Sequence, residues 1–409
     1  MVSGCVGLDA SAFSFNNSQS SHTMKAFQMA CTPIPVVRIA LIGLGGRGMK
    51  TLERYAFIPG AEIRYIVDID SSRLDCANQI LLETGRPLAQ KLQGENAWHE
   101  ACRKADIDLV YICTEWKSHT MIATEAMRNG KHVAVEVPAA TTVSECWQLV
   151  HTAEETQCHL FMTENCCYDL FALETLEMHR KGLFGRITHC EGAYIHHLAK
   201  APRHGGTSDT RINWMTHSCA VHGGNPYPTH GIGPIGQLLG FHRTDRMVSL
   251  VSITSRDVCS EANHDVGHVN TSLIQTEKGV SILLQLDVTT PRPYNRLQTV
   301  CGTKAYVQKY PLLTFQTEEM STALVGDEAI QRMEAFATSS SAQEWLKGHA
   351  LGVPNEMNYA MDARLIYCLQ NGLPLDIDVY DAAEWSCIAE LSKISAQHGG
   401  NPVEVPRFY

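Results

Sequence analysis

The sequence predicts an α/β protein in two parts. An N-terminal doubly wound parallel sheet is followed by an α+β domain with a largely antiparallel open sheet. In the first part, short apolar runs alternate with helical stretches, which is typical of a parallel sheet covered by helices. In the second part, several runs alternate polar and apolar residues, as strands with one buried face do.

The apolar runs place four strands and four helices in the first part. The opening run, Val36–Ile42, is nearly continuous in apolar residues, so we expect a strand that is buried on both faces. The predicted strands are 36–42, 61–67, 109–113 and 132–136, and the predicted helices are 49–56, 71–84, 118–129 and 142–155.

The pattern changes near residue 160. The predicted elements there are a helix at 167–181, a strand at 186–195, a stretch rich in Gly, Pro and His at 199–234, and strands at 246–255, 270–276, 280–288 and 297–300. The last predicted element is a helix over about 382–397, with Asp381 as its N-cap.

At roughly 150 residues per domain, 409 residues predict two or three domains. We expect a disordered leader over residues 1–35, because this segment has no helical or strand period. The first domain then covers residues 36–160 and the second covers residues 161–409.

The composition excludes several classes of protein. Basic residues number 33 against 43 acidic ones and form no run, so we expect no nucleic-acid partner. No stretch reaches 18 consecutive apolar residues, so we expect no membrane-spanning helix. The 15 cysteines contain no C-x-x-C pair, and the seven histidines between His189 and His230 lack an H-E-x-x-H spacing, so no metal site is predicted.

The N-terminal sequence allows two interpretations of where the protein is located in the cell. Val2–Cys5 resembles the end of a bacterial lipoprotein signal, but no apolar run precedes it. We therefore expect a cytoplasmic protein by default. The alternative is an exported or lipoprotein form, from which a signal before Cys5 has been trimmed.

A glycine motif follows the first strand directly. Gly43–Gly48 has the pattern G-x-G-x-x-G between a buried strand and a helix, which is the context that dinucleotide binding requires. Gly43 permits the tight turn, Gly45 lets the backbone approach a pyrophosphate, and Gly48 lets the helix pack on the strand. The pyrophosphate would sit at the helix N-terminus, with Gly46 and Arg47 beside it. A glycine-rich structural turn is the alternative.

An acidic residue indicates which dinucleotide binds. Asp68 lies 20 residues past Gly48, where a carboxylate accepts hydrogen bonds from the ribose 2′-hydroxyl and repels a 2′-phosphate. NAD is therefore favoured, and Arg47 leaves NADP as the alternative. Trp116 and His119 follow the strand ending near Cys113, so they are predicted to border the cofactor unless they only pack.

The strand 132–136 ends in Glu136-Val137-Pro138. This arrangement resembles the Gfo/Idh/MocA oxidoreductases, in whose dehydrogenases the sequence usually reads Glu-Lys-Pro and the lysine assists hydride transfer. A valine cannot exchange a proton, so Val137 counts against ordinary dehydrogenase chemistry. The resemblance also implies that Glu136 borders the cofactor.

Five motifs in a fixed order carry a closer resemblance. They are Glu136–Pro138, Glu164–Asp169, Glu191–His196, Gly224–Pro234 and Thr290–Tyr294. Together they resemble glycoside hydrolase family 109, the NAD-dependent α-N-acetylgalactosaminidases. The resemblance runs from about residue 37 to the carboxyl end, and it is weakest over residues 199–223.

The resemblance implies a glycosidase that uses a redox cofactor without net redox change. One tightly bound NAD⁺ per subunit takes a hydride from C3 of the sugar, and the resulting ketone makes the C2 proton acidic. Elimination then expels the glycosidic oxygen, water adds to C1 and the hydride returns. The first domain is then the NAD-binding Rossmann domain, and the second holds the substrate and the catalytic residues.

The same resemblance implies roles for individual residues. His230 and Tyr194 are the candidates for proton transfer at the 3-hydroxyl and at C2. Tyr227 and Tyr294 would orient the sugar or assist the leaving group. These four, with Asn225, form the predicted substrate site, and Glu164 would hold the cofactor or a sugar hydroxyl.

Several alternatives stay open at this stage. A sugar dehydrogenase of the same superfamily, a non-enzymatic NAD- or sugar-binding module, and a glycosidase for another N-acetylhexosamine or for the β anomer would share these motifs. The antiparallel sheet also suggests, by analogy, a face that pairs with a second subunit.

Overall fold

The computed structural model describes residues 24–198, 214–255 and 269–409. Of the predicted loop over 199–223, residues 199–213 lie outside these ranges and residues 214–222 form a helix. The lipoprotein-like sequence ending at Cys5 also lies outside these ranges. Within the described ranges, no helix combines the length and apolar character that crossing a membrane requires.

The N-terminal half is a parallel sheet with helices on both faces. Its six strands lie in the order β3-β2-β1-β4-β5-β6 and all pair in parallel. The order reverses between β1 and β4, and ligands of such sheets bind beyond the carboxyl ends of the strands at this point. The elements are β1 (Val37–Ile42), α1 (Gly46–Tyr55), β2 (Ala61–Asp68), α2 (Ser71–Glu83), β3 (Gln90–Gln93), α3 (Ala97–Arg103), β4 (Leu109–Ile112), α4 (Trp116–Arg128), β5 (His132–Val135), α5 (Val143–Thr156) and β6 (Leu160–Met162).

The C-terminal half contains a nine-stranded sheet in the order β14-β13-β12-β11-β7-β10-β9-β8-β15. Among its described pairs, β7 with β10 is parallel and the others are antiparallel. The elements are α6 (Leu170–Arg180), β7 (Ile187–Ile195), α7 (Trp214–His222), α8 (Thr229–Leu239), β8 (Met247–Thr254), β9 (Asn270–Thr276), β10 (Ser281–Asp287), β11 (Asn295–Gly302), β12 (Ala305–Gln308), β13 (Thr314–Thr317), β14 (Leu324–Val325), α9 (Asp327–Met333), α10 (Ser340–Leu351), α11 (Glu356–Asn371), α12 (Val379–Ser386), α13 (Ile388–Gln397) and β15 (Val403–Glu404). The predicted fold class is therefore confirmed.

Three elements of the first half were not predicted: β3, α3 and β6, of which β6 is only three residues long. The strand β3 is a four-residue edge strand whose side chains are mostly exposed, so it carries no apolar run. The seven-residue helix α3 is too short to show a helical period.

The predicted disordered leader is wrong for residues 24–35. Ala26 is buried and its N–H donates to the Tyr380 hydroxyl at 3.2 Å. The N–H groups of Cys31 and Ile34 donate to carbonyl oxygens at the end of α11. These bonds come from residues more than 300 positions away, so no local sequence pattern shows them.

The predicted C-terminal helix is two helices, α12 and α13, which meet at Cys387. The first begins three residues earlier than expected, because Asp378 and not Asp381 is its N-cap. The Asp378 carboxylate accepts the N–H groups of Tyr380 and Asp381, and Asp381 completes a capping box.

A buried ion pair joins the two halves of the chain. Arg54 at the end of α1 donates twice to Asp362 of α11, at 3.0 and 2.8 Å. The Tyr111 hydroxyl donates to the other oxygen of the same carboxylate at 3.0 Å. Because α1 follows the glycine turn, this contact fixes that turn relative to the second half.

Candidate functional site

The glycine turn has the steric demands that its sequence predicts. Gly43 has a φ of +90°, and a Cβ there would lie 2.8 Å from the backbone of Cys113. A Cβ at Gly48 would lie 2.0 Å from the Gly43 carbonyl oxygen. Any larger residue at either position would therefore separate α1 from the sheet.

The turn also fits a dinucleotide. A Cβ at Gly45 would meet no atom within 4 Å, so space is open beside this residue. Gly45 is the N-cap of α1, and no side chain caps the helix. Gly46 and Arg47 form its first turn, and the free N–H groups there suit a pyrophosphate.

Asp68 holds the turn itself. Its carboxylate accepts the N–H of Leu44 at 2.7 Å and that of Asp70 at 2.9 Å. Each carboxylate oxygen has a further lone pair, so the contact with a ribose hydroxyl stays a prediction.

Residues that follow β4 and β5 line one side of the glycine turn. We call Trp116, Glu136 and Val137 the cofactor wall. The Arg47 guanidinium donates to Glu136 at 3.2 Å, so its charge is matched by a carboxylate at the end of β5. Trp116 donates its indole N–H to the carbonyl of Val137 at 3.1 Å. The valine that replaces the dehydrogenase lysine is buried, so it presents no proton-exchanging group.

His119 lies inside the protein, and its predicted position beside the cofactor stays a prediction. The ring is fully buried, and its two nitrogens face the carbonyl oxygens of Pro138 at 2.8 Å and Thr114 at 3.1 Å. Burial lowers the pKa of His119, which favours the neutral ring. This histidine therefore ties together the loops that follow β4 and β5.

Five aromatic side chains from the second half meet opposite this wall. We call Tyr194, His196, Tyr227, His230 and Tyr294 the tyrosine–histidine cluster. The Tyr194 ring lies 4.9 Å from Tyr227, 5.4 Å from His230 and 6.4 Å from Tyr294, measured between ring centroids. The four predicted catalytic residues therefore share one site.

The cluster contacts the cofactor wall through a stacked pair. The Trp116 ring lies 5.5 Å from the Tyr227 ring with an interplanar angle of 22°. Trp116 is the first residue of α4, beyond the carboxyl end of β4. The cluster thus lies where this type of sheet binds its ligands.

A hydrogen-bonded chain runs inward from Tyr227. Its hydroxyl lies 3.0 Å from His230 Nε2, and His230 Nδ1 lies 2.6 Å from Glu164 Oε1. Glu164 is fully buried and also accepts the N–H of Cys166 at 3.0 Å. The carboxylate lies beneath His230 and orients that ring, and its contact with the cofactor or a sugar hydroxyl stays a prediction.

The electrostatics of these hydrogen-bonded groups favour an ion pair between Glu164 and His230. Burial raises the pKa of Glu164, but His230 and the hydrogen bonds outweigh burial and hold the pKa below its ordinary value. Burial likewise lowers the pKa of His230, while the negative charges available on Cys166 and Glu164 raise it to about 10. Burial raises the pKa of the Tyr227 hydroxyl well above its ordinary value, so this group keeps its proton.

A second tyrosine–histidine pair lies beside the first. The Tyr194 hydroxyl lies 2.9 Å from His196 Nδ1, and the His196 ring lies 5.3 Å from Tyr294. Sequence analysis placed His196 at the end of a family motif without a role and missed this contact. The available signal was the i, i+2 spacing, which places both side chains on one face of β7 or its extension.

Close backbone packing brings the two pairs together. A Cβ at Gly192 in β7 would lie 2.3 Å from the carbonyl oxygen of Gly231 in α8. Tyr194 follows two residues after the first glycine, and His230 directly precedes the second. The absence of side chains at these two glycines therefore sets the distance between the proton-handling groups.

The loop before α8 is also held in place by the helix α13. The N–H of Asn225 donates to Ser392 of α13 at 2.8 Å, and its side chain accepts the N–H of Tyr227 at 3.1 Å. The Asn225 Nδ2 atom has no hydrogen-bond partner among the described residues. Asn225 thus shapes the turn that carries Tyr227, and its predicted contact with the substrate stays a prediction.

Comparison with known proteins identifies the family. Residues 168–409 match the family described as "Glycosyl hydrolase 109, C-terminal domain", and residues 37–164 match "Oxidoreductase family, NAD-binding Rossmann fold". A Phocaeicola vulgatus protein named glycosyl hydrolase family 109 protein 2 is 48% identical over 93% of this chain and 96% of its own length. The chain belongs to glycoside hydrolase family 109.

A second relative and a solved structure extend this comparison. A Bacteroides fragilis protein named alpha-N-acetylgalactosaminidase is 49% identical, over 93% of each chain. Levoglucosan dehydrogenase, solved with NADH and levoglucosan, shares the fold with a TM-score of 0.70 at 16% identity, over 91% of this chain and 100% of its own. The family predicted from the motifs is confirmed, and so is NAD as the cofactor. This chain is an NAD-dependent glycoside hydrolase.

Proposed function

We propose that this enzyme removes terminal α-linked N-acetylgalactosamine from glycans by transient oxidation at C3. The name of the Bacteroides fragilis relative, at 49% identity, supports the choice of sugar. The observation that carries the mechanism is the chain from Tyr227 through His230 to Glu164, next to the cofactor wall.

This series of hydrogen bonds suits a proton that the enzyme must take from the sugar and later return to it. When bound, NAD⁺ accepts the C3 hydride of the sugar and returns it after water has added to C1. When His230 is neutral and its Nε2 atom is unprotonated, the 3-hydroxyl proton passes through Tyr227 to Nε2, and the Glu164 carboxylate stabilises the imidazolium that forms. Because the pKa of His230 is about 10, the fraction of enzyme in this form rises with pH. Because the hydroxyl is restored at the end of the cycle, a group that retains the proton fits better than one that releases it to solvent.

Tyr194 and His196 would handle the C2 proton. The hydroxyl of Tyr194 lies 2.9 Å from a histidine nitrogen that can receive its proton. Burial lowers the pKa of His196, so this ring is neutral near pH 7 and is available as a base. Tyr294 is 46% exposed at the edge of the cluster, a position that suits contact with the leaving group.

Proton NMR of the holoenzyme with p-nitrophenyl α-N-acetylgalactosaminide in D₂O tests the proposal. We expect free N-acetylgalactosamine that carries deuterium at C2, because elimination exchanges that proton. Release without deuterium would contradict the elimination route, and net formation of NADH would indicate a dehydrogenase instead. Parallel assays with the β anomer and with N-acetylglucosaminides check the choice of sugar and linkage.

The His230→Ala variant tests the series of hydrogen bonds from Tyr227 to Glu164. We expect it to lose turnover while it retains bound NAD, because His230 lies outside the glycine turn. Near-normal turnover in this variant would contradict the role of His230.

We also propose that the outer face of the second sheet pairs with a second copy of the chain. Ile253 of β8 and Leu273 of β9 are 65% and 55% exposed there. Light scattering of the wild type and of Leu273→Glu should show a dimer or larger assembly that the substitution dissociates. A monomeric wild type would contradict this proposal.

A further inference from the structure

Three side chains of different chemical type meet beneath the tyrosine–histidine cluster. Ligand atoms of Glu164, Cys166 and His230 all lie within 4.8 Å of one another. The three side chains are 0%, 2% and 7% exposed. Glu164 Oε2 makes no hydrogen bond of normal geometry among the described residues, although the nearby Thr229 hydroxyl helps to lower the Glu164 pKa, so this buried carboxylate oxygen can still accept a ligand.

We propose that Glu164, Cys166 and His230 form an inhibitory site for a thiophilic divalent cation, with Zn²⁺ as the best match. A carboxylate oxygen, a thiolate sulfur and an imidazole nitrogen are the three ligand types that zinc binds, at about 2.0–2.3 Å in tetrahedral geometry. Such a geometry separates neighbouring ligands by roughly 3.3–3.8 Å, so small side-chain rotations suffice. A water molecule would complete the fourth position.

The second cluster of this kind is less suited to an ion. His242, Asp378 and Asp381 also lie within 4.8 Å of one another. There both His242 nitrogens contact carboxylates, and Arg243 donates to Asp381 at 3.0 and 2.8 Å. An ion would have to displace the guanidinium, and no thiol is present to favour zinc.

Metal binding would stop the proposed proton transfer by displacing His230. The Nδ1 atom of His230 lies 2.6 Å from Glu164 Oε1, and Nε2 lies 3.0 Å from the Tyr227 hydroxyl. A cation on Nδ1 takes the place of the proton shared with Glu164, the Cys166 thiol releases its proton to solvent, and neighbouring ligand atoms move to about 3.3–3.8 Å apart. The carboxylate then no longer orients the ring towards Tyr227, and the metal-bound imidazole retains its remaining proton on Nε2, so this nitrogen cannot accept from Tyr227.

The inference rests on the proposed function only for this inhibitory effect. The holoenzyme, in a thiol-free buffer, is titrated with Zn²⁺ while hydrolysis of p-nitrophenyl α-N-acetylgalactosaminide is followed. We expect at least a tenfold loss of rate that EDTA reverses, with NAD still bound. In a separate titration, Co²⁺ reports binding through its thiolate charge-transfer band, which requires no activity.

Two matched variants locate the site. Cys166→Ser should lose the cobalt band, and it should need at least tenfold more zinc for half-inhibition relative to its own zinc-free rate. Cys76→Ser removes an exposed thiol of α2 and should behave as the wild type.

The outcomes separate the site from the function. A cobalt band that persists in Cys166→Ser, or disappears in Cys76→Ser, would overturn the proposed site, as would the absence of binding. Hydrolysis that zinc does not affect would overturn the inhibitory role and leave the proposed function intact. A Cys166-dependent band in a protein without glycosidase activity would support the site and contradict the proposed function.

Discussion

Replacing Gly192 by alanine tests whether the packing of β7 against α8 sets the geometry of the site. The new Cβ would lie 2.3 Å from the Gly231 carbonyl oxygen, and carbon atoms essentially never approach closer than 3.0 Å. The strand and the helix must therefore separate by at least about 0.7 Å. This movement carries Tyr194 away from His230.

The expected loss is large in rate and moderate in stability. A misplacement of about 1 Å at an active site costs roughly 10²-fold in rate. Overpacking of a tight contact costs about 1–3 kcal/mol of folding free energy. We therefore expect kcat of Gly192→Ala to fall by roughly 10²-fold, with a lower Tm and unchanged NAD content, because the glycine turn lies on the other sheet.

Gly302→Ala is the matched control. Its Cβ would lie 2.2 Å from the Phe184 carbonyl oxygen, so it creates a similar clash at the end of β11, outside the cluster. We expect a similar loss of Tm with near-normal kcat. Equal kcat losses in the two variants, or a Gly192→Ala enzyme within twofold of wild type, would refute the reasoning.

Three further substitutions test other parts of the structure. Gly48→Ala should abolish NAD binding, measured by cofactor content after gel filtration, because its Cβ would lie 2.0 Å from the backbone. Glu164→Gln should lower kcat by roughly 10²–10⁴-fold, since the carboxylate orients and charges His230. The pKa of His230 is raised to about 10 in the folded protein, which stabilises the fold fully below pH 6.5. This stabilisation is lost as the pH rises through 10. The Tm of the wild type should therefore fall more between pH 7 and 10 than the Tm of Glu164→Gln. Asp362→Asn should cost about 3–5 kcal/mol in a denaturant titration, because it leaves Arg54 buried without a counter-charge.

The glycine turn was predictable because its requirements are local. A strand, a turn and the start of a helix lie within a dozen residues, and a Cβ at Gly48 would clash with Gly43 of the same turn. The longer strands of both sheets were predictable for a similar reason, since their burial shows directly as apolar or alternating runs. The short strands β6, β12, β13, β14 and β15 were not predicted, because two to four residues are too few to show such a run. The edge strand β3 was missed because its side chains are mostly exposed and its sequence therefore has no apolar run.

The directions of two side chains near the site were not predictable, for the opposite reason. His119 follows a strand end, as a cofactor contact would, but its ring turns inward to two carbonyl oxygens. Glu164 lies in a motif that resembles those of the family, yet only the folded chain shows that it lies beneath His230. Neither position in the sequence reveals the direction in which its side chain points.

The sequence by itself therefore determined the fold class, the dinucleotide turn and the family. The tertiary structure decided which residues touch. Glu164 meets His230 across 66 positions, and Arg54 meets Asp362 across 308. Such pairs depend on how closely two elements approach, and here two glycines without side chains, 192 and 231, permit that approach.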